Sequence, residues 1–246
     1  MELDKILNYY KEIHLGKNDI CTNCIKINHK KNCNLSSPNS MWKVGQNFSY
    51  QNNKILFVGK VARGENTGPK IDNLFEDSTA LGDKLLLESS WAYWNYTREI
   101  IKNIYGNIES GKEKIAFTNM VKCNDSINTD KTTGTTKNHC IEQLGVIWNE
   151  IKLLRPNKII FYTHFDYDRY ITSFRPTYKF RDITNITNRI KIGAKKMPWW
   201  ERAFYDENGN IDTEFLRIGH PERKNKIDFV REVTNWIKRP VYSTYM

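Results

Sequence analysis

No stretch of this chain runs for the roughly 18–20 uncharged, apolar residues that a membrane-spanning helix needs, so a helical membrane protein is excluded. Its first residues, Met1-Glu2-Leu3-Asp4-Lys5, lack the basic and then apolar order of a secretory signal, and a soluble cytoplasmic protein is expected. Cysteine is scarce and odd in number, at five. Without a secretory signal, that count argues against a disulfide framework and toward metal or redox chemistry, with at least one thiol to spare. Acidic residues are also short: 28 Asp+Glu against 38 Lys+Arg leave +10 in 246 residues, at a sequence pI near 9.2. Internal repeats are lacking, and the Lys- and Asn-rich stretches are compositional bias. What is present, 39% hydrophobic residues with 13% aromatics, is enough for a buried core and excludes wholesale disorder. A positive excess of this size points to an anionic partner, nucleic acid first, because Lys and Arg neutralise phosphates and release counterions. The alternative is a solvated surface written by an AT-rich genome.

Hydrophobic periodicity organises the chain as a single domain, 1–246. Leu3, Ile6, Leu7, Tyr10 and Ile13 predict a short amphipathic helix, and the polar segment 17–53 reads as a loop held by something other than a core, so that 1–53 is an N-terminal helix and metal-binding loop. Short apolar runs at 54–59, 114–121, 157–163 and 215–219 predict four buried strands. Helical spacings over 81–105, 140–154 and 225–238 separate and follow them, and Pro156 stops the second. The expected class is α/β, three layers around a four-stranded parallel sheet, with 165–213 as an elaborated basic insertion. Ligands bind such sheets at the carboxyl ends of the strands, here the loops opening at Lys60, Lys122, His164 and His220.

The order of Cys21-x-x-Cys24, a strand ending in Gly59, Asn119-Met120-Val121-Lys122-Cys123, a helix opening at Cys140, and His220-Pro221 resembles the uracil-DNA glycosylase superfamily, nearest its iron–sulfur branch, often called family 4. That branch reads Asn-Val-Val-Lys-Cys at the second strand, and Arg155-Pro156-Asn157-Lys158-Ile159-Ile160 is similar to its next strand. The resemblance runs from Cys21 to about Trp236, with 165–213 outside it. It implies a DNA glycosylase that flips a base out of DNA and hydrolyses its N-glycosidic bond. It also implies that Cys21, Cys24, Cys123 and Cys140 hold a [4Fe–4S] cluster, which takes soft sulfur donors. Two local readings stand beside the cluster. Cys21, Cys24, His29 and Cys33 offer three sulfurs and a nitrogen to tetrahedral zinc, or all five cysteines are reduced and structural. The cluster alone accounts for the remote pair.

By the same resemblance, Gly59 and Asn119 belong to the base pocket, Asn119 reading the base through its amide, and His220 stabilises negative charge on the leaving base. Glu222 stands where the family has Ser. The chain departs from the family at the first-strand loop, where a carboxylate that positions water is replaced by Lys60 in Gly59-Lys60-Val61-Ala62-Arg63-Gly64-Glu65. Glu65 or Asp72 supplies the missing charge, or Lys60 is a Schiff-base nucleophile, or the protein binds DNA without cutting. The family's stacking aromatic is not reproduced, leaving Phe75 or the Trp91–Trp94 cluster. These departures suggest a modified pyrimidine, such as those of phage DNA, in place of plain uracil, and hence defence as well as repair. Arg63, Arg223 and Lys224 are candidate phosphate contacts. In the insertion, Arg169, Arg175, Lys179, Arg181, Arg189, Lys191, Lys195 and Lys196 interleave with Tyr167, Tyr170, Phe174 and Tyr178, and Trp199-Trp200 resembles a wedge. The different-class alternative is a non-catalytic, metal-stapled nucleic-acid-binding protein.

Overall fold

The computed structural model describes residues 2–36, 38–39, 41–61, 74–124, 132–174, 182–192, 195–205 and 211–240, with backbone alone at 74–79, 182–192, 195–198, 205 and 211. It is mixed α/β. Strands run at Lys43–Val44 (β1), Ile55–Gly59 (β2), Ile115–Asn119 (β3), Lys158–Phe161 (β4), Asp182–Ile192 (β5), Lys195–Tyr205 (β6) and Ile211–Arg217 (β7), in the sheet order β1-β3-β2-β4-β7-β6-β5. The four expected strands are β2, β3, β4 and β7. The sheet exceeds the expected four strands because β1 joins one edge and the segment read as an elaborated basic insertion contributes a hairpin: β5 pairs antiparallel with β6, and β6 antiparallel with β7. β4 and β7 pair parallel, and β1 pairs antiparallel with β3. Among the described residues no helix is long and apolar enough to cross a membrane.

The chain divides into two compact units, interleaved in sequence: Met1–Val44, Val58–Gly82 and Ala116–Leu154, and Gly45–Phe57, Asp83–Ile115 and Arg155–Met246. In the first, Glu2–Glu12 (α1) buries Ile6 and Tyr10 and packs on Val146–Leu154 (α7), which buries Val146, Ile147, Glu150, Ile151 and Leu154. The polar segment expected as a loop holds a helix, Asp19–His29 (α2), capped by Asn18, whose side chain accepts the Cys21 N–H at 2.8 Å. Only Cys24 and Asn28 of α2 are buried, so it carries no apolar stripe for periodicity to register. Asn28 instead donates to Thr136 at 3.2 Å and accepts from Thr133 at 2.8 Å, tying α2 to the short helix Gly134–Lys137 (α6). The helix expected at 140–154 is two pieces. A π-helical turn, Asn138–Gln143, precedes α7, and Gly145, at φ 62°, makes the break between them. The long helix expected at 81–105 is likewise two, Leu74–Glu88 (α3) and Ala92–Tyr105 (α4), followed by the short helix Ile108–Lys112 (α5). A Cβ at Gly82 of α3 would lie 2.2 Å from the Trp42 carbonyl oxygen, so the helix backbone passes there only without a side chain.

In the second unit, α4 buries Trp94, Thr97, Ile100 and Ile101 and packs on Lys226–Lys238 (α9). The aromatic core holds Phe161, Phe204 and Phe215. Register places Lys158 opposite Glu214, and their buried ion pair lies against the Trp236 ring. The short helix Asp168–Ser173 (α8) receives two buried arginines. Arg217 pairs with Asp168, and Arg202 donates to the carbonyls of Ile171 and Thr172 at 3.0 and 3.1 Å. Part of the basic and aromatic character of 165–213 is therefore core. Tyr167, Tyr170 and Phe174 are buried, and the Arg169 guanidinium lies over the Tyr170 ring. Trp199 and Trp200 are buried too, Trp199 donating to Glu201 at 2.6 Å, and neither projects as a wedge. Arg175, Lys179, Arg181 and Tyr178 lie outside the described residues, as do the side chains of Arg189, Lys191, Lys195 and Lys196.

Candidate metal centre and active site

Cys21, Cys24, Cys123 and Cys140 line one cavity of about 160 Å³ in the first unit, comparable with apolar cavities of about 150 Å³ that admit benzene. Two come from α2, one from the turn after β3 and one from the π-helical turn. The remaining wall includes Leu15, Ile25, Leu35, Leu144, Lys122 and His139, with no carboxylate among the described residues that line it. Hydrogen-bond donors address three of the sulfurs. The Gly16 N–H reaches Cys21 Sγ at 3.2 Å, Asn28 Nδ2 reaches Cys24 Sγ at 3.5 Å, and the Lys122 N–H bonds Cys140 Sγ. N–H donors to sulfur and a cationic, apolar wall suit anionic thiolate ligands. Burial pushes the Cys140 thiol up to about 12, and burial and the neighbouring thiols push Cys123 well up. His139 donates from Nδ1 to the Thr135 carbonyl at 2.8 Å, which leaves Nε2 to accept from Asn23. His29 is exposed, and neither it nor Cys33 lines the cavity. Among the described residues no three His, Cys, Asp or Glu side chains are arranged round a single ion.

Behind the cavity wall lies a buried polar network that charge and hydropathy patterns do not reveal, since its members are distant in sequence. The Lys122 ammonium donates to Thr118 Oγ1 and pairs with Glu150 Oε1, both at 2.6 Å. Thr118 passes its own hydrogen to Glu150 Oε2 at 2.7 Å, and the Tyr10 hydroxyl donates to Oε1. Glu150 thus collects three donors with no exposed surface.

At the strand ends of the same unit, the Met120 and Val121 N–H groups donate to the carbonyls of Gly59 and Lys60 at 2.9 and 3.0 Å. This brings Gly59 and Lys60 beside Asn119. Asn119 is 4% exposed, and its amide Nδ2 has no hydrogen-bond partner among the described residues. Other buried donors, Trp236 Nε1 and Arg217 Nε among them, likewise lack a partner among the described residues, and what sets Asn119 apart is its place at a strand end beside Gly59 and Lys60. Lys60 is half-buried. Arg63, Glu65 and Asp72 lie outside the described residues, as does the side chain of Phe75.

In the second unit, β4 and β7 end together, the Ile218 N–H donating to the Phe161 carbonyl at 3.2 Å, and His220 follows. Its Nδ1 accepts the backbone N–H of Glu222 at 3.1 Å, and its ring stacks on Tyr93 of α4, centroids 6.1 Å apart and planes at 22°. An Nδ1 that accepts this N–H places the ring hydrogen on Nε2, and the Glu222 carboxylate lies 3.9 Å from the same Nδ1. The turn is tight: Gly219 and Arg223 have φ of 80° and 63°, and the Lys224 N–H returns to the Pro221 carbonyl at 3.1 Å. The Tyr96 hydroxyl donates to the Lys224 carbonyl at 2.8 Å, tying the turn to α4. Arg223 is exposed and Lys224 half-buried. Of the Trp91–Trp94 cluster, Trp94 is core and Trp91 is 52% exposed. The role of Tyr93 as the platform under His220 has no signal in the sequence beyond its membership of that cluster.

No family model matches the sequence, and no curated protein matches it either.

Proposed function

We propose that the chain is a DNA glycosylase of the uracil-DNA glycosylase type, acting on uracil or a modified pyrimidine such as those of phage DNA. The observation that carries this reading is Asn119: a buried amide at a strand end, its Nδ2 donor unpartnered, in the setting Asn119-Met120-Val121-Lys122-Cys123. A base carbonyl is the acceptor such a donor lacks, and the same amide offers an oxygen to a ring or exocyclic N–H. His220 supports it. Its Nε2–H can donate to a leaving base as the glycosidic bond breaks and the electron pair passes to the ring. Water takes the base's place at C1′, and Glu65 and Asp72 are the carboxylates from which a water-positioning group would come. Cys21, Cys24, Cys123 and Cys140 would hold a [4Fe–4S] cluster, which bound there would cross-link α2 to the turn after β3. DNA is the partner this reading requires, with Arg63, Arg223 and Lys224 on its phosphates.

Lys60 favours a second reading, since an ammonium stands where a carboxylate is needed: a DNA-binding protein on this scaffold that does not cut. Incubating anaerobically purified protein with single- and double-stranded DNA carrying uracil, hypoxanthine or phage-modified cytosines, and assaying abasic sites, separates the two. Abasic product from at least one member, lost in Asn119→Ala and reduced in His220→Ala, is the expected outcome. Salt-dependent DNA binding without product from any member overturns the glycosylase and leaves the binding protein.

A further inference from the structure

Among the described residues the Lys122–Glu150 pair is the one buried ion pair that borders the thiol cavity, and the two partners do not border it equally. Lys122 lines the cavity, whereas Glu150 lies behind it, held by Tyr10 and Thr118. Lys122 also precedes Cys123 in the chain and gives its backbone N–H to Cys140 Sγ. Burying both charges is expensive, and apolar side chains of similar volume would fill the same space at equal or better stability. An ion pair kept in such a place, with its cation acting on Cys123 and Cys140, has an electrostatic consequence that apolar packing lacks. We propose that Lys122 and Glu150 form a fixed dipole, positive end toward Cys123 and Cys140, that sets the reduction potential of the cluster held there. The inference rests on the reading of Cys21, Cys24, Cys123 and Cys140 as cluster ligands. Adding one electron makes an already anionic cage more negative, so a nearby cation favours the reduced form and a nearby anion disfavours it. Charge and hydrogen bonding around the sulfurs are the levers by which a protein moves such a potential.

The test is a redox titration of the full chain, reconstituted anaerobically with ferrous iron and sulfide and followed by electron paramagnetic resonance. Lys122→Met removes the cation and leaves Glu150, so its potential falls below wild type. Glu150→Gln keeps the shape and the cation and removes the anion, so its potential rises. Lys122→Arg retains the charge and stays near wild type. Opposite shifts in the first two support the dipole, because damage to the fold does not reverse sign between them. Potentials that do not move, or that move in the same direction, overturn it. Where Lys122→Met fails to fold, Glu150→Gln decides alone: no shift, or a fall, overturns the proposal. Iron and sulfide analysis of wild type distinguishes the two failures. A chain that does not take up four of each overturns the cluster reading and this inference together, whereas a loaded cluster with an unmoved potential overturns the dipole alone.

Discussion

His220 shows how little of a side chain's chemistry lies in its identity. The ring is set by the Glu222 backbone N–H at Nδ1, 3.1 Å away, and by the Tyr93 face at 22°, with the Glu222 carboxylate farther from the same nitrogen at 3.9 Å. Because the bond comes from backbone, Glu222→Ser should leave the tautomer unchanged. Long-range proton–nitrogen correlation spectra of the wild type and this variant should both show a pyrrole-type Nε2 and a pyridine-type Nδ1, and the reverse assignment would remove the donor that the proposed glycosylase needs. Lys122 and Glu150 make the complementary case, in which charge is everything. With side-chain exposures of 1% and 0%, neither has water to fall back on when its partner is lost. Lys122→Met alone should therefore destabilise the metal-free chain by about 3–5 kcal/mol, while Lys122→Met with Glu150→Met should recover most of that loss, since neither change leaves a buried charge behind. Urea unfolding of the three proteins measures both, and a double variant as weak as the single one would show that the pair's geometry, not its uncompensated charge, governs stability.

Among the elements, α2 matters most to the candidate site, because it carries Cys21 and Cys24 and is anchored by polar bonds where most helices use an apolar stripe. Asn18 accepts the Cys21 N–H at 2.8 Å and donates to the Ile13 carbonyl at 2.7 Å. Asn18→Ala should cost about 1 kcal/mol in thermal or urea unfolding, in the range of a lost N-cap. An unchanged midpoint would mean that α2 is held from its other end, by Asn28, Thr133 and Thr136. The same polar anchoring explains why α2 could not be read from sequence: a search for apolar spacing finds nothing at 19–29, although Cys21-x-x-Cys24 within it was legible as a ligand pair. The inner strands were legible for the opposite reason, since every residue of β2, β3 and β4 is buried and their runs are mostly apolar. Lys158 is the charged exception, tolerated because register sets Glu214 beside it. The β5–β6 hairpin was hidden by its own geometry. Counted in twos from Ile183, the isoleucines fall out of step at Ile186, and the ladder shifts register between Thr184 and Ile186, so a bulge breaks the alternation that would have announced a strand. Of the site, the four cysteines of one cavity and Asn119 at a strand end were legible through spacing and resemblance. The Lys122–Glu150 pair was not, because buried charge contradicts the pattern that finds cores.

At the scale of the whole molecule, the tyrosines give the clearest handle on how the chain responds to pH. The sequence holds thirteen, and burial is the leading cause that raises Tyr9, Tyr10, Tyr93, Tyr105 and Tyr162 above the ordinary phenol value. Tyr9 and Tyr105 rise to about 12, and Tyr10 rises well above the ordinary value, through its burial first and then through the negative charge of Glu150. A group whose folded value is raised contributes stability that is fully present below its unfolded value and is lost as pH climbs through the folded one. Above pH 10 the unfolded chain releases phenolic protons that the folded chain keeps, so unfolding becomes easier with each step in pH. The window opens near the ordinary value of 10.0 and extends through about 12. A sequence pI of about 9.2 lies just below it, so self-repulsion of the net charge is near its minimum where the loss begins. The phenols' share of the stability should therefore stay nearly flat up to pH 10 and fall from there to pH 12, while in the metal-free chain the raised thiols of Cys21, Cys24, Cys123 and Cys140 add a loss that begins near their ordinary value of 9.0. Absorbance at 295 nm should show a first, reversible group of tyrosinates near pH 10. A second group should appear together with the loss of far-ultraviolet circular dichroism, because those rings ionise only when the core around Glu150 and the Tyr93–Tyr162 pair opens. Thirteen tyrosines titrating in one wave near pH 10, with the dichroism intact, would mean that water reaches these phenols in the folded protein and that the packing described for α1 and α4 is looser than their contacts require.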